Sequence, residues 1–156
     1  MNDALVTRGS PTHKFPPDGK SHRGTGIPID ELSFWQVGKR YRAAAPLATS
    51  FTEEVAQTFL GDVDYVSMPK REPVHFIFDW PTDDRGNYTC EHAYYVDDAS
   101  AVKGEKEIVL AGYSVFEVKS VSLQPYATVP RPHLITVKVM PDNRLHPEYL
   151  PIAKWH

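Results

Sequence analysis

The chain predicts an α+β fold: an antiparallel, sandwich-like β core with few flanking helices. Three observations lead there. Strand-type segments crowd the half after Pro73, only one stretch reads as a well-formed helix, and 41% hydrophobic residues in 156 suffice for a packed core without staples. At this length a single domain over 1–156 is expected.

Taken in order, Ala4 to Gly9 reads as a short strand ending at glycine. Residues 10–30 carry Pro11, Pro16, Pro17 and Pro28 among Gly, Ser, His and Lys, and read as a long exposed loop. Ile29 to Val37 is ambiguous between helix and coil, and Gly38 to Arg42 opens a strand. Thr52 to Gly61 is the helix. Thr52 is placed to cap it, Glu53 and Glu54 sit in its first turn, and Gly61 ends it. Val55, Phe59 and Leu60 form its apolar face. Strands follow at Val74–Trp80, Ala93–Val96, Glu107–Leu110, Ser114–Val121 and Leu134–Met140, the last alternating apolar with polar residues. Residues 141–156 read as an irregular C-terminal cap.

Composition narrows function. A net charge of −3 offers no basic stripe, so no nucleic-acid partner is expected. No apolar run is long enough to span a bilayer, and the N-terminus lacks a basic-then-apolar leader, so the expectation is a soluble, cytoplasmic protein. Cys90 is the single cysteine, so no internal disulfide forms. Cys90 and His92 give two potential metal ligands where a closed zinc site needs four, and no metal is expected. Gly24-Thr-Gly26 is a lone G-x-G inside the proline-rich stretch, not a dinucleotide-fold fingerprint. The aromatics Phe76, Phe78, Trp80, Tyr94 and Tyr95 read as core.

Three short motifs carry potential chemistry. Glu105 and Glu107 lie two apart at the mouth of an apolar strand, where alternate residues share a face. Such a carboxylate pair serves acid/base work or steadies a developing cation; alone it is as readily two solvated glutamates. Arg8-Gly9 ends a first strand, where an arginine can clamp an anion bidentately and a glycine admits a ligand close to the backbone; alone it is an ordinary surface arginine. Thr49-Ser50 precedes the helix, and alone reads as capping.

Together and in this order, these motifs resemble the Arg–Ser–Glu class of mono-ADP-ribosyltransferases, which includes the vertebrate ecto-enzymes and the binary and C3-like toxins. The most specific match is GEKEIVLAGYSVFEV at 104–118, followed by TSFTEEVAQTF at 49–59, with TRG at 7–9 in the correct place. The resemblance implies an ADP-ribosyltransferase-like split antiparallel β-sandwich, NAD as co-substrate, and transfer of ADP-ribose to a protein acceptor through an arginine. It assigns Glu107 to the ribose and its cationic charge, and Glu105 to the incoming arginine. It assigns Arg8 to the NAD phosphates, Gly9 to the nicotinamide amide, and Thr49 and Ser50 to the remaining NAD-binding positions. Arg42 is a rival anchor. The loop Asp97 to Gly104 is expected to touch the target, and Tyr65 or the segment 61–73 to wall the nicotinamide pocket. Two departures stand out: Ala48 occupies the place of the first serine in the class's Ser-x-Ser, and the proline after Val-Leu is missing near Ala111-Gly112. The alternatives are a catalytically weakened binding module of the same fold, or an NAD glycohydrolase.

Overall fold

The computed structural model describes residues 15–96 and 104–153. Eight strands form one mixed sheet in the order β2-β7-β8-β4-β1-β3-β6-β5. They are β1 (Lys20–Pro28), β2 (Arg40–Arg42), β3 (Leu47–Ser50), β4 (Arg71–Asp79), β5 (Ala93–Tyr95), β6 (Glu107–Leu110), β7 (Val115–Ser122) and β8 (His133–Val139). A 3-10 helix covers Ile29–Phe34 and one α-helix, α1, covers Glu53–Gly61. Every strand pair is antiparallel except β4 with β8.

The sheet is split. β1 pairs with β4 over nine consecutive residues but meets β3 at a single register pair, His22 with Ser50. On one side of that junction stand β2, β7, β8, β4 and β1, and on the other β3, β6 and β5. The core spans both halves, with Leu47, Ala93, Ile108 and Leu110 joining it from the smaller one. Trp35 packs on Tyr41, Phe76 and Phe116, and Ile27, Val74, Phe78, Ile135, Val137 and Val139 are fully buried around them. Full burial of each such side chain is worth about 1.5–3 kcal/mol. The core aromatics expected from sequence divide accordingly: Phe76, Phe78 and Trp80 are buried, whereas Tyr94 and Tyr95 are only half-buried on the edge strand β5.

The largest departure from expectation is β1. Residues 20–28, expected within an exposed loop over 10–30, form a long interior strand. The glycines that suggested a loop are there because α1 and the segment after it lie on them. A Cβ on Gly24 would stand 2.0 Å from the Ala56 carbonyl oxygen, and one on Gly26 would stand 2.5 Å from Val63. Glycine inside a strand marks this kind of close approach. Ala56 and Leu60 are therefore the buried positions of α1, while Phe59, expected on its core face, is half-exposed. Thr52 occupies the N-cap position with extended backbone, but its side chain makes no capping bond. Beyond β8, residues 141–153 hold no strand or helix, and Arg42 ties them down by donating to the carbonyls of Asn143, His146 and Pro147, and to that of Tyr113.

Candidate functional site

The residues that flank the split form a cleft. Its lining is His22, Arg23 and Gly24 from β1, Ala48, Thr49 and Ser50 from β3, Val55 and Phe59 from α1, and Glu105 and Glu107 at the entry to β6. Four of the residues singled out in the sequence, Thr49, Ser50, Glu105 and Glu107, thus come together. Arg8 and Gly9 lie outside the described residues, as does 97–103 of the expected target-contact loop.

Ser50 sits at the centre of the cross-strand row. It pairs in register with His22 on β1 and with Glu107 on β6. Residues directly opposite each other in an antiparallel pair place their side chains on one face, about 5 Å apart. The row His22–Ser50–Glu107 therefore crosses the floor of the cleft on one side of the sheet. The Ser50 hydroxyl donates to the Glu105 carbonyl in a very short hydrogen bond and accepts from the Thr52 amide at 3.1 Å. The Phe51 amide donates to the Lys106 carbonyl at 3.1 Å. One serine thus locks the start of α1 to the backbone carrying the carboxylate pair.

That pair does not share a side through strand pleating alone. β6 begins at Glu107, and Lys106 has a φ of 47° in the left-handed region. Gly104, with φ 90°, turns the chain just before it. The turn presents Glu105 to the cleft, and the strand holds Glu107, whose neighbours Ile108 and Leu110 are buried.

Among the described residues, Arg23 is the arginine that lines the cleft, and Gly24 follows it as Gly9 follows Arg8. Its Nη1 donates to the Ala48 carbonyl at 3.0 Å, and its Nε is buried without a hydrogen-bond partner among the described residues. Burial pulls the Arg23 pKa down from the usual arginine value. Arginine nevertheless stays charged in proteins, so the cleft holds a cation whose Nε is unpaired among the described residues. Arg42, the rival anchor, lies elsewhere with its guanidinium committed to carbonyls.

Thr49 lines the cleft with its hydroxyl engaged inside the protein. Its hydroxyl donates to Ser21 Oγ at 2.8 Å, and Ser21 also accepts from the Trp80 indole at 2.9 Å. Tyr65, expected as a pocket wall, hydrogen-bonds the Leu60 carbonyl and lines a separate depression with Lys70, Arg71 and Tyr126. The aromatic beside the cleft is Phe59. Sequence reasoning missed His22, Arg23, Gly24 and Phe59. The usable signal was Gly24 and Gly26 spaced two apart, which marks one face of a strand meeting another backbone rather than a loop.

Among the described residues no three His, Cys, Asp or Glu side chains are arranged to hold a metal ion. Cys90 is buried and its thiol is pushed up to about 12 by burial, which leaves it protonated and inert. No helix among the described residues is long and apolar enough to cross a membrane.

No protein-family model matches the chain, and no curated protein matches it by sequence. Solved structures do. The ADP-ribosyltransferase Vis in complex with an inhibitor is similar with a TM-score of 0.60 at 20% identity, over 78% of this chain and 48% of that one. The Vis toxin of Vibrio splendidus alone gives 0.56 at 19% identity, over 89% and 65%. The ADP-ribosyltransferase HopU1 of Pseudomonas syringae pv. tomato gives 0.54 at 17% identity, over 78% and 44%. In each case the chain spans less than two thirds of the similar structure's length. The split eight-stranded sheet with few helices is the ADP-ribosyltransferase fold.

Proposed function

We propose that the protein is an NAD-dependent mono-ADP-ribosyltransferase that transfers ADP-ribose to an arginine side chain of a protein and releases nicotinamide. The observation that carries this reading is the convergence of Arg23, Ser50, Glu105 and Glu107 on one cleft at the split of the sheet.

The chemistry follows from the groups present. Breaking the bond between ribose C1′ and the nicotinamide nitrogen sends the electron pair to nicotinamide and leaves cationic character on the ribose, as in glycoside cleavage. Glu107, held by a strand whose next residues are buried, is a preorganised negative charge for that cation. Arg23 takes the NAD phosphates, which a guanidinium does well in a partly dry site. Ser50 keeps the carboxylate-bearing turn in place through the Glu105 carbonyl. Glu105 accepts the proton released when a guanidinium nitrogen attacks C1′. The cleft volume, about 170 Å³, is below the ~300–1,000 Å³ of pockets that enclose a whole ligand. It suits the nicotinamide end of NAD, with the adenosine on the open surface.

Arg8 remains a second candidate for the phosphates, and parallel substitution separates it from Arg23. Ala48 favours a slower enzyme: a methyl group lines the cleft where the resemblance calls for a hydroxyl, and the neighbouring Thr49 hydroxyl is taken by Ser21. The test is incubation with NAD labelled in the adenylate, with agmatine or a cell lysate as acceptor. Agmatine is the guanidinium compound bound in one of the similar Vis structures. Labelled agmatine or protein supports transfer. Nicotinamide release without labelled acceptor supports the glycohydrolase alternative, and neither would support the binding module.

A further inference from the structure

His22 lines the cleft and pairs with the buried His75, and the chemistry above uses neither. His22 lies diagonal to His75 across the β1–β4 ladder, since His22 pairs with Ile77 and Gly24 with His75. Diagonal neighbours share a face and are within reach of long side chains. Here His22 Nδ1 and His75 Nε2 are 3.0 Å apart. Two imidazole nitrogens at that distance need one proton between them. His75 is buried, and its Nδ1 lies 3.9 Å from Glu53 Oε1 in the first turn of α1.

The carboxylate decides where the protons sit. Glu53 favours a proton on His75 Nδ1. A neutral His75 then has its lone pair on Nε2, so the shared proton belongs to His22 Nδ1. His22 Nε2 is left as a bare acceptor, and among the described residues it has no hydrogen-bond partner. The hydrogen bond at one ring nitrogen sets the state of the other. Burial holds both imidazoles below the usual histidine range, which keeps them neutral at neutral pH. The charges around His22 are Asp18 and Lys20 on its own segment and Glu53 and Glu54 from α1, with His75 facing it from β4. Arg23, Glu105 and Glu107 share the cleft with it.

We propose that His22 is a further NAD-contacting residue, whose Nε2 lone pair accepts a hydrogen bond from a ribose hydroxyl or the carboxamide of the dinucleotide, and that His75 and Glu53 are positioning residues that fix its tautomer. The proposal rests on the NAD reading above and adds a specificity element to it. Arg23 recognises charge, whereas a neutral acceptor beside Ser50 recognises a donor at a set place. In the cross-strand row it stands opposite the Glu107 side, so the ligand is held from both halves of the split sheet.

The experiment is nitrogen-15 NMR of the intact protein, reading the side-chain nitrogens of His22 and His75 without ligand and during NAD titration. The expected result is protonated Nδ1 and bare Nε2 on both rings, with His22 Nε2 moving on NAD addition as a lone pair that becomes engaged. Glu53→Gln should shift His75 toward the other tautomer and His22 with it, which a merely structural role for Glu53 would not do. In steady state, His22→Phe should raise the NAD KM about tenfold, more than it lowers kcat, and His22→Gln, whose carbonyl reaches near the Nε2 position, should recover most of that loss. A protonated His22 Nε2 in the free protein overturns the proposal. So does an unmoved His22 while the amides of Gly24 and Ser50 respond to NAD. If no cleft amide responds, the NAD reading fails and takes this contact with it. The tautomer measurement distinguishes the two failures, because it needs neither activity nor ligand.

Discussion

Arg23 on β1 donates to the carbonyl of Ala48 on β3, with 3.0 Å between Nη1 and oxygen, across the line where the sheet divides. The two strands otherwise pair in register only at His22 and Ser50, and Thr49 bonds Ser21 beside that pair. The Arg23 side chain thus bridges the split. Arg23→Ala is expected to weaken NAD binding by tenfold or more, because a charge-assisted contact to phosphate contributes about 1.5–3 kcal/mol. Arg23→Lys should recover little, since an ammonium cannot bridge to Ala48 and chelate an anion together. The measurement is the NAD dissociation constant by calorimetry for both variants and for Arg8→Ala. A larger loss in Arg8→Ala than in Arg23→Ala would move the anchor to Arg8.

Glu105 and Glu107 meet at the cleft through a turn, and their duties separate. Glu105→Gln keeps the size and removes the proton acceptor. It should spare NAD hydrolysis and lower transfer to agmatine by about 10²-fold or more, within the range for losing a general base. Assaying nicotinamide and labelled agmatine in parallel reads both. Equal transfer by the variant would remove Glu105 from acceptor activation.

The close approach of α1 to β1 has a consequence for stability. Gly24→Ala places a Cβ against the Ala56 carbonyl oxygen, a backbone atom that cannot rotate away. Overpacking costs about 1–3 kcal/mol even where side chains give way, and a domain of this size loses about 2–4 °C in Tm per kcal/mol. Gly26→Ala meets the end of a valine side chain first and should cost less. Thermal melts of both variants check the order, and an unchanged Tm in Gly24→Ala would mean the helix does not rest on β1 as described.

Buried neutral histidines set a pH window. His22, His75 and His92 all have pKa values lowered by burial, His75 further by the neighbouring His22. The unfolded chain takes up protons at about pH 6.5 while the folded chain resists. Their stabilising contribution is therefore complete above pH 6.5 and is lost as pH falls through the lowered values. Tm should be flat from pH 8 to 7 and decline from 6.5 toward 5. Asp64, Asp83, Glu117 and Asp142, also held low by hydrogen bonds, add their loss only in the carboxylate range below that. His75→Phe should flatten part of the upper decline.

Much of the β-rich half was legible because its signals are local. Ile108, Val109 and Leu110 after the glutamates, and the alternation from Leu134 to Val139, need no tertiary information to read as strands. β1 was not legible because its composition answers to a partner distant in sequence. Gly24 and Gly26 look like loop residues until α1 and the segment after it are laid on them. The same error hid Arg23. Two Arg-Gly pairs stand near the N-terminus, and strand pairing sets the described one, Arg23-Gly24, on the strand that meets Ser50. Thr49 and Ser50 were found as a pair, yet their hydroxyls go separate ways, one to Ser21 and one to Glu105. The histidine pair was invisible for the same reason, with His22 and His75 on strands that meet only in the folded sheet.

Glu107 is the residue on which the functional account turns, so the most direct measurement is nicotinamide release against NAD concentration for the wild type and Glu107→Ala. Losing one preorganised electrostatic group costs about 10²–10³ in rate, or roughly 3–4 kcal/mol. The account predicts measurable release by the wild type and a loss of that size in Glu107→Ala, with NAD binding by calorimetry retained. A variant that turns over within a few fold of wild type would contradict it, as would a wild type that binds NAD and releases no nicotinamide.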